Sequence, residues 1–141
     1  MKKQYIVIVG CGRFGSYVAN IHSKSGSSVV VIDPNPGSFA SLSSDFSGFT
    51  VEGDASEFAV LKQAKLDKAD LFIAATEKDA INIFAARVAK QHFCVPEVVA
   101  RVYDPEFTAM LADNGITAIC PALISVEQYF SAKPEQSERK S

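Results

Sequence analysis

Three glycines at the spacing Gly10-x-Gly12-x-x-Gly15 form the part of this sequence best suited to holding an anion. They directly follow a β-branched run at residues 6–9 and open a segment with helical periodicity. In that setting the first glycine permits a tight turn, the second lets backbone approach a pyrophosphate, and the third lets the helix pack closely on the strand. The helix start adds unpaired N–H groups and partial positive charge. The pattern predicts a phosphate site; the alternative is a glycine-rich turn that only packs well.

An acidic residue stands where such a site needs one. Asp33 ends the second β-branched run, close to the spacing of about 20 residues found in dinucleotide-binding folds. A carboxylate there can accept hydrogen bonds from both ribose hydroxyls, and it would repel a 2′-phosphate, with no arginine following to compensate. This favours an adenine nucleotide other than NADP. The alternative is that Asp33 only shapes the turn before Pro34.

Small and polar residues follow the third and fourth β-type runs. Asp54 and Ala55 lie where the adenine end of a ligand would rest, although Asp54 could instead simply cap the next helix. Ala74 and Ala75 leave room for a ligand, and Thr76 offers a hydroxyl donor or a plain helix cap. The sequence leaves both pairs of interpretations open.

Two arginines also fall in this region. Arg13, inside the glycine pattern, can reach terminal phosphates or a neighbouring chain, or it is a solvated residue at a helix start. Arg101, which ends the fifth β-type run, is either a phosphate partner or a structural ion-pair partner of Asp79 or Asp104.

The composition argues against several other kinds of site. Charged residues make up 21% of the chain and the net charge is −2, so bulk electrostatics do not favour a nucleic-acid partner or a membrane surface. Cys11, Cys94 and Cys120 are too few and too scattered for a disulfide framework or a metal site. His22 and His92 stand alone on predicted helices. We therefore assign no catalytic or metal-binding residue, and no redox role to Cys11.

Strand-like and helix-like segments alternate along the chain and must position these residues. Hydrophobic residues make up 48% of the sequence, enough for one core, and the longest apolar runs are too short to span a bilayer. Thr76 and Asp104 are the predicted caps of the fourth and fifth helices. We predict strands at residues 6–9, 29–32, 49–51, 70–74, 97–101 and 116–119, and helices at residues 13–25, 38–46, 56–65, 77–91, 105–114 and 121–130.

This order predicts a single α/β domain of Rossmann type. Short connections and right-handed crossovers give a doubly wound, parallel, six-stranded sheet in the order 3-2-1-4-5-6, with the ligand crevice between strands one and four. The domain spans residues 1–131, and we expect the polar tail at residues 132–141 to be disordered. The residues predicted to face the sheet from the helices include Phe14, Val18, Ile21, Phe39, Leu42, Phe46, Phe58, Leu61, Ala64, Ile81, Phe84, Ala85 and Val88.

Together these motifs resemble the TrkA-N domain, also called RCK or KTN, over about residues 4–130. The resemblance rests on the glycine pattern, Val31-Ile32-Asp33, Gly53-Asp54-Ala55, the run at residues 74–82 and Ala100-Arg101-Val102. It implies a cytoplasmic regulatory subunit of a potassium uptake system or channel that binds NAD(H), ATP or ADP, and in some members AMP. Such domains pair, often as rings of eight beneath a membrane pore, and the ligand shifts the ring between shapes.

The resemblance also implies partners. With no apolar run long enough to cross a membrane, we expect the pore to be a separate chain that holds this protein at the inner face of the cell membrane. The last helix has a broad apolar face, which in the family crosses to a partner subunit and which could alternatively pack on its own sheet. That face consists of Leu123, Ile124, Val126, Tyr129 and Phe130.

We thus predict a nucleotide sensor without catalysis; the alternative is an NAD-dependent oxidoreductase or its isolated cofactor domain. We expect no substrate domain beyond residue 141, and no His, Lys or Tyr is predicted near the nicotinamide end. Which nucleotide is physiological stays open, because Asp33 suits all of those named. The candidate ligand-binding residues are Gly10, Cys11, Gly12, Arg13, Phe14, Gly15, Asp33, Pro34, Gly53, Asp54, Ala55, Ala74, Ala75, Thr76 and Arg101.

Overall fold

A computed structural model of the chain describes residues 3–133 and contains a six-stranded parallel sheet. The strand order is β3-β2-β1-β4-β5-β6, as the sequence predicts. The central strands β1 and β2 are mostly β-branched runs and β4 is apolar throughout, which suits a parallel sheet covered on both faces. The strands are β1 (Tyr5–Val9), β2 (Ser28–Asp33), β3 (Phe49–Glu52), β4 (Leu71–Ala74), β5 (Glu97–Arg101) and β6 (Thr117–Ile119).

In the described part of the chain, five α-helices accompany the sheet: α1 (Arg13–Lys24), α2 (Phe58–Gln63), α3 (Asp79–Gln91), α4 (Phe107–Asp113) and α5 (Pro121–Ala132). The predicted second helix at residues 38–46 is instead a 3₁₀ helix, Pro36–Ser41, because Asn35 accepts a hydrogen bond from Gly37 N and Pro36 starts the turn early. None of these helices, within residues 3–133, has the length and apolar character needed to cross a membrane.

α3 and α4 begin later than the predicted helix caps, Thr76 and Asp104, indicate. Thr76 does not cap α3, which begins at Asp79 with Lys78 as its N-cap. Asp104 does not cap α4 either, because its side chain accepts from Glu106 N in a turn that precedes the helix. In both places the side chain stabilises a loop at the carboxyl end of the sheet rather than a helix start.

The core consists of two layers, one on each face of the sheet. α2, α3 and α4 cover one face, where Phe72 and Leu61 are fully buried. On the other face α1 and the segment around Phe39 cover residues such as Ile8 and Val31. The predicted tail at residues 132–141 falls, apart from its first two residues, outside the part of the chain that the structure describes.

The helices approach the sheet through small residues. α1 buries Gly15, Ser16, Ala19 and Ser23, and α3 buries Asn82 with three alanines. As a result, three large residues predicted to be buried are exposed instead, namely Ile21, Phe58 and Phe84. Close helix–sheet packing favours small side chains on the contact face, so large apolar side chains such as Ile21 and Phe84 lie at its margin.

Candidate functional site

A pocket of about 520 Å³ opens beyond the carboxyl ends of the strands, where the winding of the sheet reverses between β1 and β4. Five loops contribute to it, one after each of the first five strands. Of the predicted residues, those that line it are Gly10, Gly12, Arg13, Phe14, Asp33, Pro34, Asp54, Ala55, Ala75, Thr76 and Arg101. The other lining residues, which the sequence analysis did not select, are Val9, Ser38, Glu77, Lys78, Ile81 and Tyr103.

The glycine loop, residues 10–15, has the geometry that its spacing predicts. Gly10 has φ +99°, and a Cβ there would lie 2.5 Å from the carbonyl oxygen of Ala75, so a larger residue does not fit. A Cβ at Gly15 would collide with the carbonyl oxygen of Gly10. By contrast, a Cβ at Gly12 would meet no atom within 4 Å. The loop is therefore tight at both ends and open in the middle.

The start of α1 lies at this opening. Its N-cap is Gly12, which has no side chain with which to cap the helix, and its first turn contains no acidic residue. The first N–H groups of a helix have no intrahelical partner, so here they are left for water or a ligand. Backbone donors, a partial positive charge and open space together suit an anion.

Asp33 connects two of the loops. Its Oδ2 accepts from the backbone N–H of Cys11 at 2.8 Å, and its Oδ1 accepts from Asn35 N at 2.9 Å. Asp33 therefore both shapes the turn and lines the pocket. Each carboxylate oxygen can accept two hydrogen bonds, so one acceptor site per oxygen is left for a ligand hydroxyl.

Cys11 does not line the pocket. Its side chain is 1% exposed and packs in the core layer beneath α1. Burial, with a smaller effect from the negative charge of Asp33, raises the pKa of the Cys11 thiol. A raised pKa keeps the thiol protonated at neutral pH, which is the opposite of what a reactive cysteine requires.

The loop after β3 forms the side of the pocket next to Asp33. Asp54 Oδ1 accepts from both the backbone N and the hydroxyl of Ser56, each at 2.8 Å, and these bonds lower the pKa of the Asp54 carboxyl. Asp54 thus closes a turn and does not cap α2, whose N-cap is Glu57. Gly53 lies outside the pocket lining and packs against Val60, where a Cβ would come within 2.9 Å.

The opposite wall is built from the ends of β4 and β5. Ala74 is fully buried beneath it, while Ala75 and Thr76 line the pocket. The Thr76 hydroxyl lies 2.7 Å from Asn82 Oδ1 and accepts from Lys78 N at 3.2 Å. Because its hydrogen is directed to Asn82, the hydroxyl is not free to donate to a ligand, contrary to the sequence-based expectation.

Arg101 occupies neither of the ion pairs that the sequence suggests. Its Nη2 donates to the carbonyl oxygens of Ala75 and Thr76 at 3.0 and 3.2 Å. Its guanidinium lies between two rings, with Cζ 5.6 Å from the centroid of Phe14 and 5.3 Å from that of Tyr103. Its Nε is buried and has no hydrogen-bond partner in the part of the chain that the structure describes. Arg101 thus joins three loops and keeps positive charge at the pocket.

Asp79 also serves a different role from the predicted ion pair. Its two carboxylate oxygens accept from the backbone N–H groups of Tyr103 and Asp104, at 2.8 and 3.0 Å. Asn82 is fully buried and bonds to Thr76 and Arg101. The sequence carried a signal for Asn82, since an amide on the sheet-facing side of a helix must find partners.

Lys78 and Tyr103 lie in a part of the pocket where the sequence predicts neither a lysine nor a tyrosine. The sequence analysis expected no lysine or tyrosine near the end of the crevice beyond β4, but both side chains belong to the pocket lining. The pocket therefore does contain side chains that can act as a general acid or base, and the argument against an oxidoreductase that relied on their absence does not hold. The distinction between a sensor and an oxidoreductase requires a direct assay.

The fold and the glycine loop define this chain as a Rossmann-type α/β domain. Residues 6–121 match the model of the TrkA-N domain, and the chain belongs to that family. A relative from Streptomyces coelicolor, named Trk system potassium uptake protein TrkA, is 39% identical over 126 residues, which are 89% of this chain and 56% of the relative. The chain spans about half the length of the curated relatives it matches.

Solved structures show the same fold. The TrkA-N domain of the Escherichia coli inner membrane protein YbaL superposes with a TM-score of 0.82 at 18% identity, over 94% of this chain and 98% of that one. The GsuK channel bound to NAD superposes with a TM-score of 0.75 at 24% identity, over 92% of this chain and 23% of the channel. GsuK has also been solved bound to ADP.

Proposed function

We propose that this domain is a regulatory nucleotide sensor of a potassium transport system. In this proposal it binds an adenine nucleotide, NAD(H), ATP, ADP or AMP, and passes a ligand-driven change of shape to a membrane pore on a separate chain. The relative named as a potassium uptake protein and the NAD- and ADP-bound GsuK structures support the proposal. The protein would then work at the inner face of the cell membrane.

The observation that carries the proposal is the pocket at the reversal of the sheet, with an uncapped helix start on its floor and opposite charges on its two sides. A pyrophosphate would lie over Gly12, the adenosine ribose would donate to Asp33, and the base would rest against Asp54 and Ala55. The remainder of the ligand would extend towards Thr76 and Arg101. Arg13 and Phe14 would flank the phosphates from the glycine loop.

Regulation requires that the ligand bind more tightly to one arrangement of the domain than to another. Arg101 offers a route for this coupling, because it contacts the loops after β1, β4 and β5 together. A phosphate that attracts the guanidinium would pull on all three loops. No catalytic step is needed for such a role, and we propose that the domain performs none.

Self-association is the second part of the proposal. Among residues 3–133, α5 has no buried residue, and its apolar side chains are 46–62% exposed, namely Leu123, Ile124, Val126, Tyr129 and Phe130. Val99 and Ile119, on the face of the sheet away from α3 and α4, are only partly covered. A second copy could lay its α5 on such a surface, which supports a dimer that further assembles into a ring.

The nucleotide itself can be identified without choosing a candidate beforehand. Native purification followed by mass spectrometry of the retained small molecule should release an adenine nucleotide, and competition between NADH and ATP would then rank the two. A protein that retains no nucleotide and binds neither compound would refute the sensor. Substrate-dependent oxidation of NADH at enzyme-like rates would instead establish the oxidoreductase.

A further inference from the structure

Asn82 is a fully buried amide on α3 whose hydrogen-bonding capacity is completely used. Its Oδ1 accepts from the backbone N and the hydroxyl of Thr76, at 2.9 and 2.7 Å. Its Nδ2 donates to the carbonyl oxygens of Thr76 and Arg101, at 2.9 and 2.7 Å. A side-chain amide has two donor hydrogens and two acceptor lone pairs, so these four bonds satisfy it.

These bonds fix the wall of the pocket formed by the ends of β4 and β5. The carbonyl oxygen of Thr76 accepts from Asn82 and also from Arg101 Nη2. Asn82 therefore holds Arg101 in two ways. It donates directly to the backbone oxygen of Arg101, and it fixes the Thr76 carbonyl that accepts from the Arg101 guanidinium. Thr76 has its N–H, hydroxyl and carbonyl all engaged, so it contributes shape to the wall rather than a free donor.

Asp79 secures the same wall from the preceding turn of α3. It accepts from the backbone N–H groups of Tyr103 and Asp104, and the ring of Tyr103 packs on the guanidinium of Arg101. Residues three apart lie on one side of a helix, so Asp79 and Asn82 hold adjacent loops from a single rigid element.

We propose that Asn82 is a positioning residue that sets the Thr76–Arg101 wall for the part of an adenine nucleotide beyond its first phosphate. This inference rests on the proposed nucleotide-binding function. Asn82 itself does not touch the ligand, because it is buried behind Thr76 and Arg101. The adenylate part would lie on the other side of the pocket, over the glycine loop and against Asp33, where Asn82 makes no contact.

The test compares NADH with AMP, which is the adenylate half of NADH, on the full chain by titration calorimetry. Asn82→Ala should lower the affinity for NADH at least tenfold and leave that for AMP within about twofold, because only the distal wall loses its support. Equal losses for the two ligands, or no loss for NADH, would overturn the positioning role. A general loss of stability cannot produce a change in the ratio of the two affinities.

Ser23→Ala is the matched control, since Ser23 is also a buried polar residue but bonds to Ser47, away from the pocket. It should leave the ratio of the NADH and AMP affinities unchanged. If the control changes the ratio as much as Asn82→Ala does, the effect does not come from the wall and the inference is wrong.

Thr76→Val provides a milder change in case Asn82→Ala does not fold. It removes the hydroxyl bonds to Asn82 and Lys78 and keeps the backbone bonds to Asn82, so a smaller, NADH-selective loss is expected. If both variants fold, the double variant should bind NADH no more weakly than Asn82→Ala alone. Additive losses would show that the Thr76 hydroxyl acts independently of Asn82, through Lys78 or the ligand, against the inference. A wild-type chain that binds neither nucleotide would refute the proposed function as well, whereas normal binding with an unchanged affinity ratio in the variants would refute only the positioning role.

Discussion

At the scale of single residues, Asp33 combines two tasks that the sequence analysis treated as alternatives. Its carboxylate holds the backbone at Cys11 and Asn35, and it keeps acceptor sites that face the pocket. Replacing Asp33 should therefore lower both the stability of the fold and the affinity for a nucleotide.

We predict that Asp33→Ala weakens the binding of NADH or ATP more than tenfold, a loss of at least about 1.4 kcal/mol. It should also lower the melting temperature, because the buried N–H of Cys11 loses its acceptor. Asp113→Ala, an exposed aspartate at the end of α4, is the control and should change neither quantity. Calorimetry that finds unchanged affinity in Asp33→Ala would exclude a ribose contact.

The glycine loop allows binding and folding to be separated. Gly12→Val places its side chain in open space, so the fold should persist, but the branched side chain would occupy the place of the phosphates and block binding. Gly15→Ala should instead destabilise the fold, since the added Cβ collides with the carbonyl oxygen of Gly10. Overpacking of this kind costs about 1–3 kcal/mol. Thermal melting and nucleotide titration of both variants provide the comparison. Normal nucleotide affinity in Gly12→Val would argue against a phosphate cradle.

Strand ends and glycine spacing were enough to predict most of the pocket. Gly10, Asp33 and Thr76 lie at or just beyond the ends of strands, and the carboxyl ends of parallel strands share one edge of the sheet. Tyr103 was missed because it reaches the pocket from a turn whose path depends on the tertiary hydrogen bonds of Asp79. Ser38 was missed because residues 36–41 form a 3₁₀ helix in place of the predicted α-helix.

At the scale of elements, the strands were predictable and the helix faces only partly so. Continuous β-branched runs identify buried parallel strands directly. The helices contact the sheet through Gly15, Ala19 and Ala85, and hydropathy gives such small residues little weight beside Ile21 or Phe84. The starts of α3 and α4 were misplaced because Thr76 and Asp104 bond within loops that the sequence alone does not define.

α5 carries exposed apolar residues that we propose are covered by a second copy of the chain. Val126→Asp should weaken self-association at least tenfold, because it would bury an unpaired charge in an apolar interface. Glu127→Gln, a conservative change at the neighbouring position on the same helix, should have little effect. Light scattering at micromolar concentration, with and without nucleotide, measures both. A wild-type chain that is monomeric under both conditions would eliminate the dimer and the ring.

At the scale of the whole molecule, the pocket loop after β5 is connected along the chain to α5 through one helix and one strand. The loop after β5 carries Tyr103 beside Arg101, α4 follows it, and β6 leads into α5. Cys120, at the N-cap of α5, lies 3.8 Å from the carbonyl oxygen of Tyr103 through its Sγ. A ligand that shifts Arg101 and Tyr103 would therefore act close to the start of the helix proposed to join the subunits. This is the physical basis for the proposed transmission.

The central claim is that the pocket binds an adenine nucleotide that has no 2′-phosphate. Calorimetric titration of the full chain with NADH, NADPH, ATP, ADP and AMP tests it most directly. We predict saturable binding of at least one of the nucleotides that lack a 2′-phosphate at one per chain, with NADPH at least tenfold weaker because Asp33 repels its phosphate. No saturable binding by any of them, or NADPH as the tightest ligand, would contradict the claim.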